Sequence, residues 1–589
     1  MTSIVTHLTD VIGAGFAAEG LDASYGEVGV SQRAELAQYQ CNGALAAAKP
    51  AGRNPRELAE AVIGHVNDSG IAELSIAGPG FINITLTDDL LAAVTEGMRT
   101  HDRFDIDRVT HPKRIVVDYG GPNVAKELHI GHLRVAIIGE ALKRLLRWQG
   151  HDVIGDVHLG DWGLQMGQLI AELEDRHPDW PFFDPRSEGP YPEAPPLKME
   201  DFNEIYPVSS ARMKTDAEFA ERARRKTVEL QEGRPGYRAL WQHLRDVSIA
   251  AIKAVYDELD VEFDLWNGES SVAHLLDALV ERLLEDGIAE HSEGAVVVEV
   301  SRPNDTAEIP PLMLVKSDGA TLYTTWDVAT IVDRIEQLKA DEMYYIVDAR
   351  QALHFEQVFR VVQRAGIVST DVTLLSHEHV GTVNDKDGKP LRTRDGNLPL
   401  LRDVMREAIE RAEVRLDEND IATEYPDDER TAIAHAVGIA ALKYGDLLNH
   451  RSSNYNFDLD RFVSFSGKTG PYVLYGAVRI QSILRNAEER GLAPGVVIAP
   501  DRDAERNLML RLMQLQQVIE RTAEFKAPNH LAEYAYELTT DFNRFYEACH
   551  ILNESDPERQ SSWLGLVDVT LRQLRLVLDL LAITVPERM

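Results

Sequence analysis

The sequence predicts a parallel α/β domain split by an insertion, preceded by a small α+β domain and followed by a helical bundle. Three observations carry this expectation. Short apolar runs alternate with helical periodicity over residues 111–170 and again over about 312–401. A proline-rich stretch separates the two portions, and strand signals nearly vanish beyond Arg402. Short strands alternating with longer helices imply right-handed crossovers and a parallel sheet. The expected division is 1–110, 111–401 with a proline-rich and helical insertion at about 175–310, and 402–589.

Within residues 1–110 the Ala-rich segment 31–45 suits a helix. Asn54-Pro55-Arg56-Glu57 reads as a helix start with proline in its first position. After Asn67-Asp68-Ser69-Gly70 come Ile71, Leu74 and Ile76, the turn Gly78-Pro79-Gly80, and Phe81-Ile82-Asn83-Ile84, which together read as strand, turn, strand. Ile12-Gly13-Ala14-Gly15 imitates a dinucleotide-binding glycine motif. No buried strand precedes it, and Leu8, Val11, Ile12 and Phe16 share helical spacing, so a helix is expected.

In the second domain, residues 114–119 form an apolar run ended by Gly120-Gly121-Pro122-Asn123. Residues 131–149 carry helical periodicity, and Val153-Ile154 opens a strand that ends near His158. Eight prolines between Pro178 and Pro207 predict an irregular segment, with helices resuming over about 217–230 and 238–259. The second α/β portion offers a helix after Asp327, a strand over 343–347, a helix from about Ala352, a strand over 372–375 and a Gly/Asp/Lys-rich loop from Asn384. The final ~160 residues read as a helical bundle.

Composition narrows the function. With 44% hydrophobic and 27% charged residues, the chain is an ordinary globular protein rather than a disordered one. No apolar run approaches the ~20 residues of a membrane span, and the first twenty residues lack a basic leader. Only Cys41 and Cys549 occur, which excludes a disulfide framework and fits a reducing, cytoplasmic setting. A net charge of −35 argues against promiscuous nucleic-acid binding. Residues 471–530, however, hold eight basic and seven acidic residues, an Arg-studded stretch suited to a polyanion or simply a solvated helical face.

The segment from Pro122 to His132 (PNVAKELHIGH) follows a strand and opens a helix, where free N–H groups and the helix dipole favour phosphate. His129 and His132, three apart, share one face. Two imidazole donors there suit the charge that migrates when a triphosphate is attacked at its α-phosphorus, and Gly131 leaves space for a nucleotide. Metal ligation lacks a third ligand of plausible spacing. Two ordinary surface histidines are the remaining alternative.

This string resembles the HIGH signature of class I aminoacyl-tRNA synthetases, with the Pro-Asn-x-x-Lys lead-in of the arginyl family. Further segments match in order: Gln40-Cys41-Asn42, Gly78 to Asn83, Gly160-Asp161-Trp162-Gly163, Phe263 to Trp266, Tyr323 to Asp327, Gln351 to His354, Thr469 to Tyr472, and Val585 to Met589. The resemblance implies a Rossmann-like catalytic domain, a tRNA-contacting N-terminal domain and a helical anticodon-binding domain. It implies ATP with Mg2+ as substrate, L-arginine and tRNA(Arg) as partners, no structural metal, no membrane partner, and a monomer.

The resemblance also implies roles. Pro122, Asn123, His129, Gly131 and His132 hold ATP, aided by Lys389, Arg392 and Arg394 of a degenerate KMSKS loop, and Lys126 supplies the missing lysine. His129, His132, Lys126 and Arg394 are the expected catalytic residues. Asp118, Asn123 and His158 hold the backbone end of arginine, and Tyr323, Asp327 and Gln351 its side chain. A carboxylate suits a guanidinium because it accepts two parallel N–H bonds; the alternative role for Asp327 is a helix cap. The family usually has Asn where this chain has Val157, and Asp156 is the candidate substitute. For tRNA, Phe81 and Asn83 share a strand face suited to a splayed base, and Tyr455, Tyr472, Tyr475, Arg479 and Arg485 match the anticodon-binding surface. A synthetase for another amino acid and a silent tRNA-binding scaffold are the two rivals.

Overall fold

A computed structural model describes residues 4–589 apart from 32, 34–36, 67–71, 195, 370–372 and 393–397. The N-terminal unit starts with the helix Ile4–Ala18. Its glycines serve packing and not a nucleotide: a Cβ on Gly13 or Gly15 would lie 2.9 Å from the Ala23 or Val62 carbonyl oxygen. An antiparallel sheet follows, in the order Val28–Val30, Tyr39–Cys41, Phe81–Leu86, Ala72–Ala77. Asn54 caps the helix Pro55–His65, its side chain accepting from the Arg56 and Glu57 N–H groups, as the sequence predicts.

The helix expected over 31–45 is corrected at residues 39–41, with 32 and 34–36 of that span lying outside the described residues. Tyr39–Cys41 is a strand paired with Phe81–Leu86, and the helix there is Gly43–Ala51. Tyr39 and Cys41 alternate into the core while Gln40 turns to the other face to donate to Asn83 Oδ1 (2.8 Å). Cross-strand burial outweighs the helix propensity of nearby alanines.

The sheet of the second domain is wholly parallel, in the order Leu374–His377, Glu342–Ile346, Arg114–Tyr119, Asp152–Asp156. The helix Ile130–Gln149 crosses between its third and fourth strands. Ile137, Ile138, Leu142 and Leu145 are buried along it, each contributing roughly 1.5–3 kcal/mol by leaving water. Gly139 sits where this helix meets Tyr119: an added Cβ would come within 2.2 Å of the ring.

The insertion brings the helices Leu164–Arg176, Met199–Thr215, Ala217–Gln231 and Pro235–Glu258. The irregular segment expected up to Pro207 therefore ends sooner. Asp201 Oδ2 accepts the Lys198 N–H (2.8 Å) and starts a helix that carries Pro207 inside it and buries Met199, Phe202 and Ile205. A small antiparallel sheet, Glu290–Ser292, Ala295–Val298, Leu312–Val315, was not expected from the sequence.

Beyond residue 400 helices dominate, the longest being Asp427–Leu447, Gly470–Glu489, Asn529–Ala548 and Pro557–Leu580. A two-residue strand, Tyr455–Asn456, pairs in parallel with Val383–Asn384. The bundle is tied to the crossover helix by buried charges. Arg134 donates to the Ser453 and His450 carbonyls (2.6 and 2.9 Å) and faces Asp446 at 3.4 Å. Lys443 donates to the carbonyls of Leu259 and Ala582, and burial lowers its pKa to about 7. No helix among the described residues is long and apolar enough to cross a membrane.

Because Tyr119 is fully buried and its hydroxyl donates to Glu140 Oε2 (2.8 Å), it has little room to yield. Gly139→Ala is expected to destabilise the protein by about 1–3 kcal/mol through overpacking. Urea unfolding of the full chain with an unchanged midpoint would contradict this packing.

Candidate active site

The site grows from the carboxyl edge of the parallel sheet, where open α/β folds bind ligands. The strand Arg114–Tyr119 ends in Gly120, whose φ of +72° turns the chain; a Cβ there would meet the Tyr256 hydroxyl at 2.9 Å. The next stretch is stitched to the neighbouring loop: the Val124 N–H donates to the Gly160 carbonyl (3.0 Å) and the Gly160 N–H to the Pro122 carbonyl (3.1 Å). Pro122 is buried while Asn123 is exposed, its amide oxygen against Gly160.

His129 caps the helix Ile130–Gln149, its Nδ1 accepting the Gly131 N–H at 3.1 Å. His132 Nδ1 accepts the His129 N–H, also at 3.1 Å, and the two rings lie 3.9 Å apart. A ring nitrogen that accepts a backbone N–H carries no proton, so each imidazole keeps its proton on Nε2 as a donor. Burial lowers the pKa of both, with Lys126 adding to the effect at His129 and the His129 charge at His132, which falls to about 3. Both are neutral donors at pH 7.

Lys126 lies over the Tyr206 ring of the insertion (Nζ 4.4 Å from the centroid). Its neighbour Glu127 accepts from Arg402 (2.6 Å) and Asn203 (2.9 Å). The basic loop is pinned at both ends: Leu391 N–H donates to the Val383 carbonyl (3.1 Å), Ile130 N–H to the Pro399 carbonyl (2.9 Å), and Leu401 N–H to the Leu128 carbonyl (2.9 Å). The pairing at Leu128–Ile130 brings the end of the loop to the paired histidines. Lys389 and Arg392 are exposed on its first limb; Arg394 lies outside the described residues.

Tyr323 and Asp327 stand on the first turns of the helix Tyr323–Glu336. This helix begins four residues before Asp327, so Asp327 is not a cap; instead His354 Nε2 lies 2.6 Å from its Oδ2. The Tyr323 ring is 5.0 Å from that of His354 and 59% exposed, open to a ligand. Gln351 is exposed at the start of the helix Ala352–Arg364, which carries His354.

Asp118 accepts from Arg334 Nη2 at 2.6 Å, and the same nitrogen donates to Asp156 at 2.7 Å. Asp156 therefore does not stand free in the place of the missing Asn, and Val157 is buried. His158 holds a φ of +28°, and its Nδ1 is buried without a hydrogen-bond partner among the described residues. Sequence reading missed Arg334 and Glu269, and it placed His354 in a matched string without giving it a role. Glu269 sits in the field of His158, Asp161 and Asp327, and desolvation raises its pKa to about 7. Only its place in the Trp266-Asn267-Gly268-Glu269 string, beside a matched motif, hinted at it.

The tRNA candidates divide. Phe81 lines a cavity of about 680 Å³ with Tyr25, Gln40, Asn42 and Gly78, whereas Asn83 is a correction: it is buried, its Oδ1 accepts from Gln40 Nε2 (2.8 Å), and it is not offered to a base. Tyr472, Tyr475, Arg479 and Arg485 all lie on the helix Gly470–Glu489. Asn543 Nδ2 donates to the Tyr472 hydroxyl (3.0 Å), Arg479 lies 5.1 Å over the Tyr475 ring, and Arg485 is exposed. Tyr455 is a correction: it is buried, paired in the short parallel sheet and 5.0 Å beneath Arg134, so its ring joins the domains and is not offered to a polyanion.

Three family descriptions cover this architecture in order. "Arginyl tRNA synthetase N terminal domain" matches residues 3–86, "tRNA synthetases class I (R), catalytic domain" residues 95–459, and "DALR anticodon binding domain" residues 473–589. The chain belongs to the arginyl-tRNA synthetase family. Arginine–tRNA ligase of Hyphomonas neptunium is 46% identical over 592 residues, covering all of both chains. That of Alkaliphilus oremlandii is 45% identical, covering 98% of this chain and 97% of its own. Among solved structures, arginyl-tRNA synthetase from Plasmodium falciparum superposes with a TM-score of 0.83 at 25% identity, covering 100% of each chain. This member keeps the class I parallel sheet, with the paired histidines at the start of its crossover helix.

Two outcomes follow from the histidine geometry. A Cβ on Gly131 would lie 2.9 Å from His129 Nδ1, so Gly131→Ala is expected to displace that ring and lower kcat about 10²-fold, the scale of losing one transition-state donor; steady-state turnover tests it. His132 binds its proton more weakly folded (about 3) than unfolded (about 6.5). The unfolded chain holds more protons in that window, so stability falls as pH drops from 6.5 towards 3. In His132→Gln that part of the decline is expected to vanish, read as a flatter thermal midpoint against pH.

Proposed function

We propose that the chain is an arginine–tRNA ligase in which the residues assembled at the sheet edge perform both half-reactions. L-arginine and ATP, the latter accompanied by Mg2+, give arginyl-adenylate and pyrophosphate; the 3'-terminal ribose hydroxyl of tRNA(Arg) then takes the arginyl group and releases AMP. The observation that supports this best is the neutral His129/His132 pair at a helix start, together with an exposed Tyr323 and a part-buried Asp327 at the start of another helix, a phenol and an acid suited to a guanidinium.

In the first step the arginine carboxylate attacks the α-phosphorus and the pyrophosphate leaves in line. No covalent enzyme intermediate is required, so the barrier falls by positioning and charge stabilisation. The Nε2–H groups of His129 and His132, with Lys126, Lys389, Arg392 and Arg394, receive the charge moving onto the phosphates. Pro122, Asn123 and Gly131 shape the nucleotide seat. Asp327 and Tyr323 take the guanidinium together with Gln351, while Asp118, Asn123 and His158 take the backbone end. The His354 bond orients Asp327 as a bidentate acceptor.

The division of labour runs along the chain: residues 1–110 meet tRNA through Phe81, residues 111–401 do the chemistry, and residues 402–589 read the anticodon through Tyr472, Tyr475, Arg479 and Arg485. The enzyme acts as a monomer in the cytoplasm.

ATP–pyrophosphate exchange with each amino acid, with and without tRNA, is the deciding assay. Exchange is expected with arginine alone and only when tRNA is present. Asp327→Asn should raise the arginine KM about 10- to 100-fold, the size of a hydrogen bond to a charged group, with little change in the ATP KM. Exchange with lysine or glutamate would point to a synthetase of other specificity, and no exchange from folded, tRNA-binding protein would leave a scaffold.

A further inference from the structure

Arg334 lies outside every motif that identified the site, yet it is a fully buried cation beside Asp118 and Asp156, at 1% exposure. Register explains what it touches. Asp118 pairs with Asp156 on one side and with Tyr345 on the other, so three adjacent parallel strands set two acids and a phenol in one row at the carboxyl edge of the sheet. The guanidinium of Arg334 comes down on this row from the helix Tyr323–Glu336, with Nη2 2.6 Å from Asp118 Oδ2 and 2.7 Å from Asp156 Oδ2, and its carbon 5.4 Å from the centre of the Tyr345 ring.

The two acids are not equivalent. Asp156 is 2% exposed, and its second oxygen accepts the His158 N–H at 3.4 Å, so both oxygens are engaged. Asp118 is 14% exposed, and among the described residues nothing donates to its second oxygen. Two carboxylates and one guanidinium carry a net charge of −1, and the open corner of that charge is Asp118.

We infer that Arg334 is a positioning residue for the amino-acid substrate: it neutralises Asp156 and holds Asp118 as a single oriented carboxylate for the α-ammonium group of arginine, the task for which Val157 offers no amide. This rests on the reading of Asp118 as the α-amino contact. Without Arg334 the adjacent acids would share a proton, because like charges at this distance do not both ionise, and Asp118 would turn to Asp156 instead of the substrate. Desolvation already raises the Asp118 pKa against the pull of Arg334. Without Asp156, the Arg334–Asp118 pair is neutral and attracts no ammonium ion.

The charge count makes an unusual expectation testable by exchange kinetics on the full-length enzyme with tRNA present. Arg334→Met and Asp156→Asn each raise the arginine KM about 10- to 100-fold while the ATP KM stays within about threefold. The double variant R334M/D156N returns the arginine KM to within about threefold of the parent, since net charge −1 is restored and the new amide donates to Asp118. A role in packing alone predicts that the two losses add. Additive losses, or equal damage to the arginine and ATP KM, overturn the inference. Should R334M fail to fold, the near-isosteric D156N decides alone, and an unchanged arginine KM overturns it. Asp118→Asn separates the two levels: an unaffected arginine KM there removes the underlying assignment, whereas a raised one alongside normal R334M kinetics removes only the role of Arg334.

Discussion

Parallel pairing of Arg114–Tyr119 with Asp152–Asp156 is the constraint on which the rest of the molecule depends. Parallel neighbours need a crossover, and a right-handed crossover returns the chain to the same edge of the sheet. The start of the helix Ile130–Gln149 and the carboxyl ends of both strands are thereby brought to one place. The N–H groups of a helix start, the paired histidines and the acids Asp118 and Asp156 share that edge because of topology. The remaining elements refine this arrangement; they do not create it.

The same helix carries the mechanical link to the bundle. Arg134 stands two residues after His132 and is spent on the His450 and Ser453 carbonyls and on Asp446. The loop it grips feeds the strand Tyr455–Asn456, which pairs with Val383–Asn384 immediately before the basic loop. One buried guanidinium thus joins the signature helix, the C-terminal bundle and the root of the basic loop. Buried ions of this kind cost desolvation and return it only when geometry is satisfied, so they specify docking more than they add stability. Lys443, bonding to the carbonyls of Leu259 and Ala582, makes a second such joint.

Much of the fold was legible because its signals are local. The run over 114–119, the glycines after it, the helical period to Gln149 and the cap at Asn54 are short-range patterns that the structure repeats. Failures came where distant partners decide. Residues 39–41, inside the expected helix 31–45, went to a strand pairing more than forty residues away, and the segment before Pro207 gained a helix because its apolar face found a core in the insertion. At the site, the motif residues His129, His132, Tyr323 and Asp327 were readable, while Arg334, Glu269 and the pairing of the motif residue His354 were not: each is defined by a neighbour far from it in the chain. Tyr455 was misplaced for the complementary reason, since an aromatic beside basic residues reads alike whether it faces solvent or supports an interface.

By itself the sequence determined the family, the class I sheet and the chemical types gathered for the reaction, because motif identity and hydrophobic period are properties of neighbouring residues. Which charges cancel and which stay available emerges only when the chain has folded. That the histidines are neutral donors, that Asp327 is oriented by His354, and that Asp118 rather than Asp156 holds the open charge all depend on burial and on the spacing between strands. Charge in a protein interior is set by what lies within a few ångströms through space, and sequence order does not encode that distance.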